Sequence, residues 1–160
     1  ARISGCEVRI LGDRIEGEAR DVAKAHAQLA LKIRRDLAAG EQPVLLLSGG
    51  ELTVTRRGNG VGGPNAEYAL ALTCELNGAD GIHAIACDTD GVDGAAEVAG
   101  AVIGPQTLQL ARSNGQDAEL FLARNDSHTF FGLIKSQVVT GPTLTNVNDF
   151  RAILITSPSK

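Results

Sequence analysis

Residues 58–72 read GNGVGGPNAEYALAL. A glycine-rich stretch gives way at Pro64 to a run in which Tyr68 and Leu72, followed by Leu76, recur at the four-residue step of a helix's buried stripe. Proline suits the first helical position, where its missing N–H costs no hydrogen bond, and Asn77-Gly78 closes the run. Upstream, Val44-Leu45-Leu46-Leu47 follows Pro43 as a short continuous apolar run, the pattern of a strand covered on both faces. Leu52-Thr53-Val54-Thr55 reads as a second, β-branched strand, with Ser48-Gly49-Gly50-Glu51 as a turn between the two. Strand, glycine loop and helix in this order predict an α/β unit. The spacing Gly58-x-Gly60-x-x-Gly63 raises the question of what the loop holds.

The alternation continues outward. From about Glu18 to Ala39 the positions Val22, Ala25, Leu29, Ile33 and Leu37 recur at three- or four-residue steps, and Gly40 ends this long amphipathic helix. Before it, Glu7 to Ile10 reads as a short strand with no evident partner. Ile82 to Cys87 is a third buried strand, helical patterns follow at about 105–113 and 117–134, and the chain closes with Val138 to Thr140, a loop from Gly141 to Asp149 and a strand from Phe150 to Thr156. Strands alternating with helices predict an α/β sandwich built as one domain over residues 1–160.

Composition narrows the function classes. The 160 residues are 43% hydrophobic and 21% charged, ordinary globular usage. A net charge of −4 supplies no basic field for nucleic acid, and one Tyr with four Phe makes no stacking platform for bases. No apolar run approaches the roughly 20 residues of a membrane helix. Three cysteines, at 6, 74 and 87, lack metal-ligand spacing, and because the first residues do not read as a charged-then-apolar leader, no secretory signal is expected. A soluble, cytoplasmic chain with reduced thiols is expected. Because the chain starts at Ala1 and contains no Met, an excised part of a longer protein is expected.

In α/β sheets, ligands are held by loops at the carboxyl ends of strands. Three such loops stand out: SGGE after Leu47, DTDGVDG after Cys87 and TGPTLTNVND after Val139. Each taken alone reads as ordinary punctuation, an acidic turn or a capping run. Together they put complementary polar groups on one sheet edge. Asp88, Asp90 and Asp93 fall within six positions, with Gly91 and Gly94 letting the backbone turn back, so these carboxylates are candidate ligands for magnesium. The calcium EF-hand lacks its closing Glu and its flanking helices here. GNGVGG follows a strand and precedes a helix, as a dinucleotide fingerprint does, and Asp88 ends the next strand where a ribose-binding acid belongs. Arg56-Arg57 widens that loop, however, and a cluster of carboxylates repels a pyrophosphate unless a cation intervenes. No Gly-Lys-Ser/Thr ends the loop as a P-loop would. A glycine loop beside carboxylates suits phosphoryl transfer better than hydride transfer. Among the histidines, His26 is expected at the boundary of its helix's apolar stripe, His83 in a buried structural role, and His128 beside a helix cap. Cys74 and Cys87 read as small core residues.

Five ordered stretches, SGGELTVT, GNGVGGPNAEYALAL, DTDGVDGAAEVAGA, NDSHTFF and VVTGPTLTNVNDFRAILI, resemble the carboxy-terminal MOFRL domain of the glycerate 2-kinase family, some of whose members carry the name hydroxypyruvate reductase. The resemblance covers nearly the whole chain. It implies a three-layer sandwich with a mixed β-sheet flanked by helices, a missing amino-terminal Rossmann-like domain, and an active site in the cleft between the two. It also implies ATP-dependent phosphorylation of D-glycerate to 2-phosphoglycerate, with ATP and Mg2+ as cofactors and glycerate or a related hydroxy acid as substrate. By motif, Ser48, Gly49, Gly50 and Glu51 with Gly62, Gly63, Asn65 and Glu67 line the cleft. Asp88 and Asp90 help hold metal and phosphates and count as catalytic, and Asp93 joins the metal set. Thr140, Gly141, Thr143, Thr145, Asn146 and Asn148 form a polar wall. The chain alone is then expected to be inactive, and homo-oligomerisation is left open. Rival readings are an NAD(P)-dependent hydroxypyruvate reductase and a non-catalytic metabolite-binding or dimerisation module. One departure stands out: the family commonly reads Gly-Gly-Arg-Asn-Gln-Glu where this chain has Pro64 after Gly63. A guanidinium there gives paired donors to an oxyanion, which proline cannot. Either another cation, from Arg56, Arg57 or the missing domain, takes that role, or the substrate differs.

Overall fold

The computed structural model describes residues 5–94 and 97–158. Strand β1 (Glu7–Glu18) leads into α1 (Ala19–Asp36), followed by β2 (Val44–Thr53) and α2 (Pro64–Leu76). Next come β3 (Ile82–Asp88), β4 (Gly100–Ile103) and three short helices, α3 (Thr107–Ser113), α4 (Ala118–Ala123) and α5 (Ser127–Leu133). Strands β5 (Gln137–Val138) and β6 (Asp149–Ile155) close the chain. Among the described residues, the six strands form one mixed sheet in the order β1-β2-β6-β3-β4-β5. Only the β1–β2 pair is parallel; the other four pairs are antiparallel.

Helix α2 is the centre of the core. It is apolar nearly all round, and Ala66, Tyr68 through Leu72 and Leu76 are all buried, as a helix enclosed on every side requires. Helix α1 presents Ala19, Ala23, Ala27 and Ala30 to it, and these small side chains let the two backbones approach closely. Asn77 ends α2 in the left-handed conformation at φ 46°, the stop that Asn77-Gly78 announces. Burial alternates strictly along β2 and β6, so one face of the sheet supplies Val44, Leu46, Ile153 and Ile155 to the core while the next residues along each strand face away.

Several sequence expectations change. SGGE is not a turn: β2 runs unbroken from Val44 to Thr53 through it, because Gly49 and Gly50 pair in register with Phe150 and Asp149. Consequently Leu52 and Thr53 belong to the same strand as Val44. The short strand expected at Glu7 to Ile10 continues to Glu18 and finds its partner in β2. The single helix expected at 117–134 is two, broken at Asn125, which adopts φ 53°. Strand β4, a four-residue stretch of Gly-Ala-Val-Ile, was not expected. His83 is exposed on the sheet's outward face rather than buried, whereas His26 is buried, its Nδ1 2.8 Å from the Tyr68 hydroxyl. The mixed sheet with flanking helices is as expected, and the helices described here pack on one of its faces.

Candidate functional site

At one end of the sheet β3 empties into the acidic loop and β6 begins directly after the Thr/Asn loop, and the two loops are tied together. Thr89 donates through its amide (3.2 Å) and its hydroxyl (2.8 Å) to the carbonyl of Asn148, and receives the amide of Val147 at 2.9 Å. Thr143 donates its amide to Asp90 O at 3.1 Å and its hydroxyl to Thr89 O. Asn146 Nδ2 reaches Asp90 Oδ2 at 3.5 Å. Gly91, at φ 94°, lies so close to the carbonyl of Gly141 that a Cβ would overlap it. Thr140, Gly141, Thr143, Thr145, Asn146 and Asn148 thus form one outward wall, exposed except for half-buried Gly141, beside Asp88 and Asp90.

The three aspartates separate into two kinds. Asp88 accepts the amide of Asp90 at 3.0 Å, and Asp90 accepts the amide of Val92 at 2.8 Å, so each turns the loop with one oxygen. Partial burial raises the Asp88 pKa above the ordinary carboxylate range against the hydrogen bond from Asp90, with the Asp90 and Asp149 charges adding to the rise. Asp93 points inward instead. Its oxygens accept the amides of Asn65 (2.9 Å) and Ala66 (2.8 Å), so it is the anion held at the start of α2. His128 Nε2 lies 3.0 Å from its carbonyl and 3.4 Å from its carboxylate. No group of three or more His, Cys, Asp or Glu placed to hold a metal occurs among the described residues. What the loop offers is the Asp88 and Asp90 pair, a donor set that suits magnesium held by one or two carboxylates with the remaining ligands coming from phosphates and water.

The glycine loop is spent on its own fold. The amides of Arg57 and Gly58 go to Asn125 Oδ1, that of Gly60 to Arg124 O, that of Val61 to Asp126 Oδ1, and that of Glu67 back to Gly63 O. With Asp93 on the amides of Asn65 and Ala66 as well, several of the donors by which a dinucleotide fingerprint cradles a pyrophosphate are already engaged. Gly62 and Gly63 instead pack against Ser127 and Asp93. Arg56 lies along the loop, its Nε 3.3 Å from Gly58 O and its Nη2 3.2 Å from Gly60 O. It lines a small cleft of about 150 Å³ with Gly62, Gly63, Pro64 and Glu67. Arg56 is thus a cation lining the same small cleft as Pro64, the position at which the family's motif has its Arg.

Beneath the loops runs a buried polar chain that the sequence did not reveal. Arg151, 1% exposed, donates to Asp149 Oδ2 at 2.7 Å and to Gly49 O at 2.9 Å. Asp149 accepts from Asn65 Nδ2 at 2.7 Å, and Asn65 leads to Asp93. Alongside, Glu67 Oε1 takes Arg20 Nε at 2.7 Å and Asn125 Nδ2 at 3.0 Å, while Oε2 has no hydrogen-bond partner among the described residues. Burial raises the Glu67 pKa despite these donors, Arg20 first among them. Ser48, Asn65 and Glu67 are thus buried supports behind the surface, whereas Glu51 is exposed on the end of β2. A hint lay in the alternation of β6: Arg151 occupies an inward position between Asp149 and Ile153, where an apolar residue belongs.

The model of the MOFRL family matches residues 44–149. This chain belongs to the MOFRL family. The match takes in β2 through the first residue of β6, and so includes both the acidic and the Thr/Asn loops. The MOFRL chain is 47% identical over 157 residues to an Agrobacterium vitis protein provisionally named a hydroxypyruvate reductase, covering 97% of this chain and 41% of that protein. It is 32% identical over 149 residues to the D-glycerate 2-kinase of Thermotoga maritima, covering 93% of this chain and 36% of the enzyme. The crystal structure of Thermotoga maritima glycerate kinase superposes with a TM-score of 0.91 at 32% identity, over 98% of this chain and 38% of that one. The chain spans about two fifths of the length of these relatives.

Proposed function

We propose that this MOFRL chain is the carboxy-terminal part of an ATP-dependent glycerate 2-kinase, which phosphorylates D-glycerate to 2-phosphoglycerate at a cleft shared with an amino-terminal Rossmann-like domain. The observation that carries this reading is the joining of the Asp88/Asp90 loop to the Thr/Asn loop at one end of a sheet shaped like that of a glycerate kinase. Phosphoryl transfer asks a protein for positioning and charge compensation more than for covalent chemistry. Asp88 and Asp90 would hold magnesium, which when bound neutralises phosphate charge. The Thr145 hydroxyl and the side-chain amides of Asn146 and Asn148 orient phosphate oxygens across the acidic loop, while Thr140 and Thr143, whose hydroxyls go to backbone carbonyls, shape the wall. Ser48, Gly49 and Gly50 set the floor through Arg151, and Asn65 and Glu67 brace the start of α2. Arg56 takes the anionic end of the substrate in place of the family's Arg.

The hydroxypyruvate reductase reading finds less support, since several amides in and around the glycine loop, those of Gly58, Gly60, Val61, Asn65 and Ala66, are engaged within the fold. Asp90→Ala in the full-length protein tests the site. Its expected effect is loss of magnesium-dependent ATP binding by at least about tenfold, read by isothermal titration. Unchanged binding would remove the acidic loop from the site and favour a module without catalysis.

A further inference from the structure

The face of the sheet turned away from the helices is largely apolar, with His83 exposed on it, and bare among the described residues. Leu45, Ile85, Ala152 and Leu154 are half-buried across β2, β3 and β6, while Val102 on β4 is 42% exposed and Ile10 on β1 76%. These side chains line or extend a concavity of about 490 Å³. An apolar surface that crosses five strands of one sheet is far more than the scattered exposed residues of a finished monomer. The helical cover on the inner face leaves one layer of a three-layer sandwich to be supplied.

We propose that this face seats a helical layer contributed by the amino-terminal part of the longer polypeptide, a contact separate from the cleft at the loop end of the sheet. The proposal rests on the two-domain reading above. Two observations favour this occupant over a second copy of the chain. More than half of each matched relative lies outside the region this chain covers, which is ample for such a layer. The face is also concave, and a two-fold contact sets a patch against itself, so two concavities would enclose a void, whereas a helix ridge fills one.

The test uses the full-length protein with Val102→Cys on the face and, as an exposed control, Leu120→Cys on α4, which is 54% exposed. Maleimide modification of each engineered thiol is followed by peptide mass spectrometry, so the native cysteines do not interfere. The expected result is modification at position 102 at least about tenfold slower than at position 120, at every protein concentration. Equal rates would show the face bare and overturn the proposal. Protection at position 102 that grows with protein concentration would assign the face to a second copy and overturn it as well. No substrate is needed, so the outcome is independent of whether the enzyme is a kinase.

Discussion

His26 shows what burial does to a single titratable side chain here. It sits within the core at 8% exposure, held by the Tyr68 hydroxyl, and its pKa falls from 6.5 to about 4, first because burial penalises the cation and second because the Arg151 guanidinium is near. A folded pKa below the unfolded one means stability that is present above pH 6.5 and lost as pH falls through about 4. At most about 3 kcal/mol is at stake. His26→Gln should therefore flatten the decline in urea-unfolding stability between those two pH values relative to the wild type. Parallel declines would show that His26 carries no such coupling. Asp88, Asp93 and Glu67 act in the opposite sense, because burial raises each pKa and the associated stability is lost as pH rises through the raised values. None of this was readable from residue types alone. His26, His83 and His128 look alike in the sequence, and only the sheet register and the contacts of α2 decide that the first and third are buried and the second exposed.

Among the elements, β2 is where local pattern and tertiary demand part company. Ser48-Gly49-Gly50-Glu51 has the chemistry of a turn, yet it lies mid-strand because the backbone of β1 passes directly over Gly50. A Cβ at Gly50 would overlap the amide and carbonyl of Ile15, and its φ of 115° is closed to other residues. Gly50→Ala should cost about 3 kcal/mol or more, seen as a lowered urea midpoint with an unchanged slope. An unfolding free energy within about 0.5 kcal/mol of the wild type would contradict this packing of β1 on β2. Helix α2 was legible in full, from Pro64 to Asn77, because its signals are local: an N1 proline, a periodic stripe and an αL stop. Strand β4 was not, since four small or branched residues after a loop carry no period to read. The break at Asn125 escaped for a different reason, as its cause is the distant glycine loop whose amides Asn125 accepts.

For the whole molecule, the sheet edge that gathers the acidic and Thr/Asn loops was legible as a gathering of polar motifs, and the resemblance supplied their joint meaning. The inward turn of Asp93 and the Arg151–Asp149–Asn65 chain beneath the loops were not legible, because both depend on β6 lying between β2 and β3, an order the linear chain does not display. The resulting surface is asymmetric: an acidic, hydroxyl-rich rim suited to a metal and phosphates, Arg56 and Arg57 at the glycine loop, and a largely apolar sheet face at another aspect. That distribution suits half of a two-part kinase cleft better than a self-sufficient binding module. The measurement that tests this most directly is ADP release by the full-length protein given D-glycerate, ATP and magnesium, run beside hydroxypyruvate with NAD(P)H. ADP release that depends on glycerate is expected, with no oxidation of the reduced nicotinamide. Oxidation of NAD(P)H without ADP release would contradict it and return the glycine loop to dinucleotide binding.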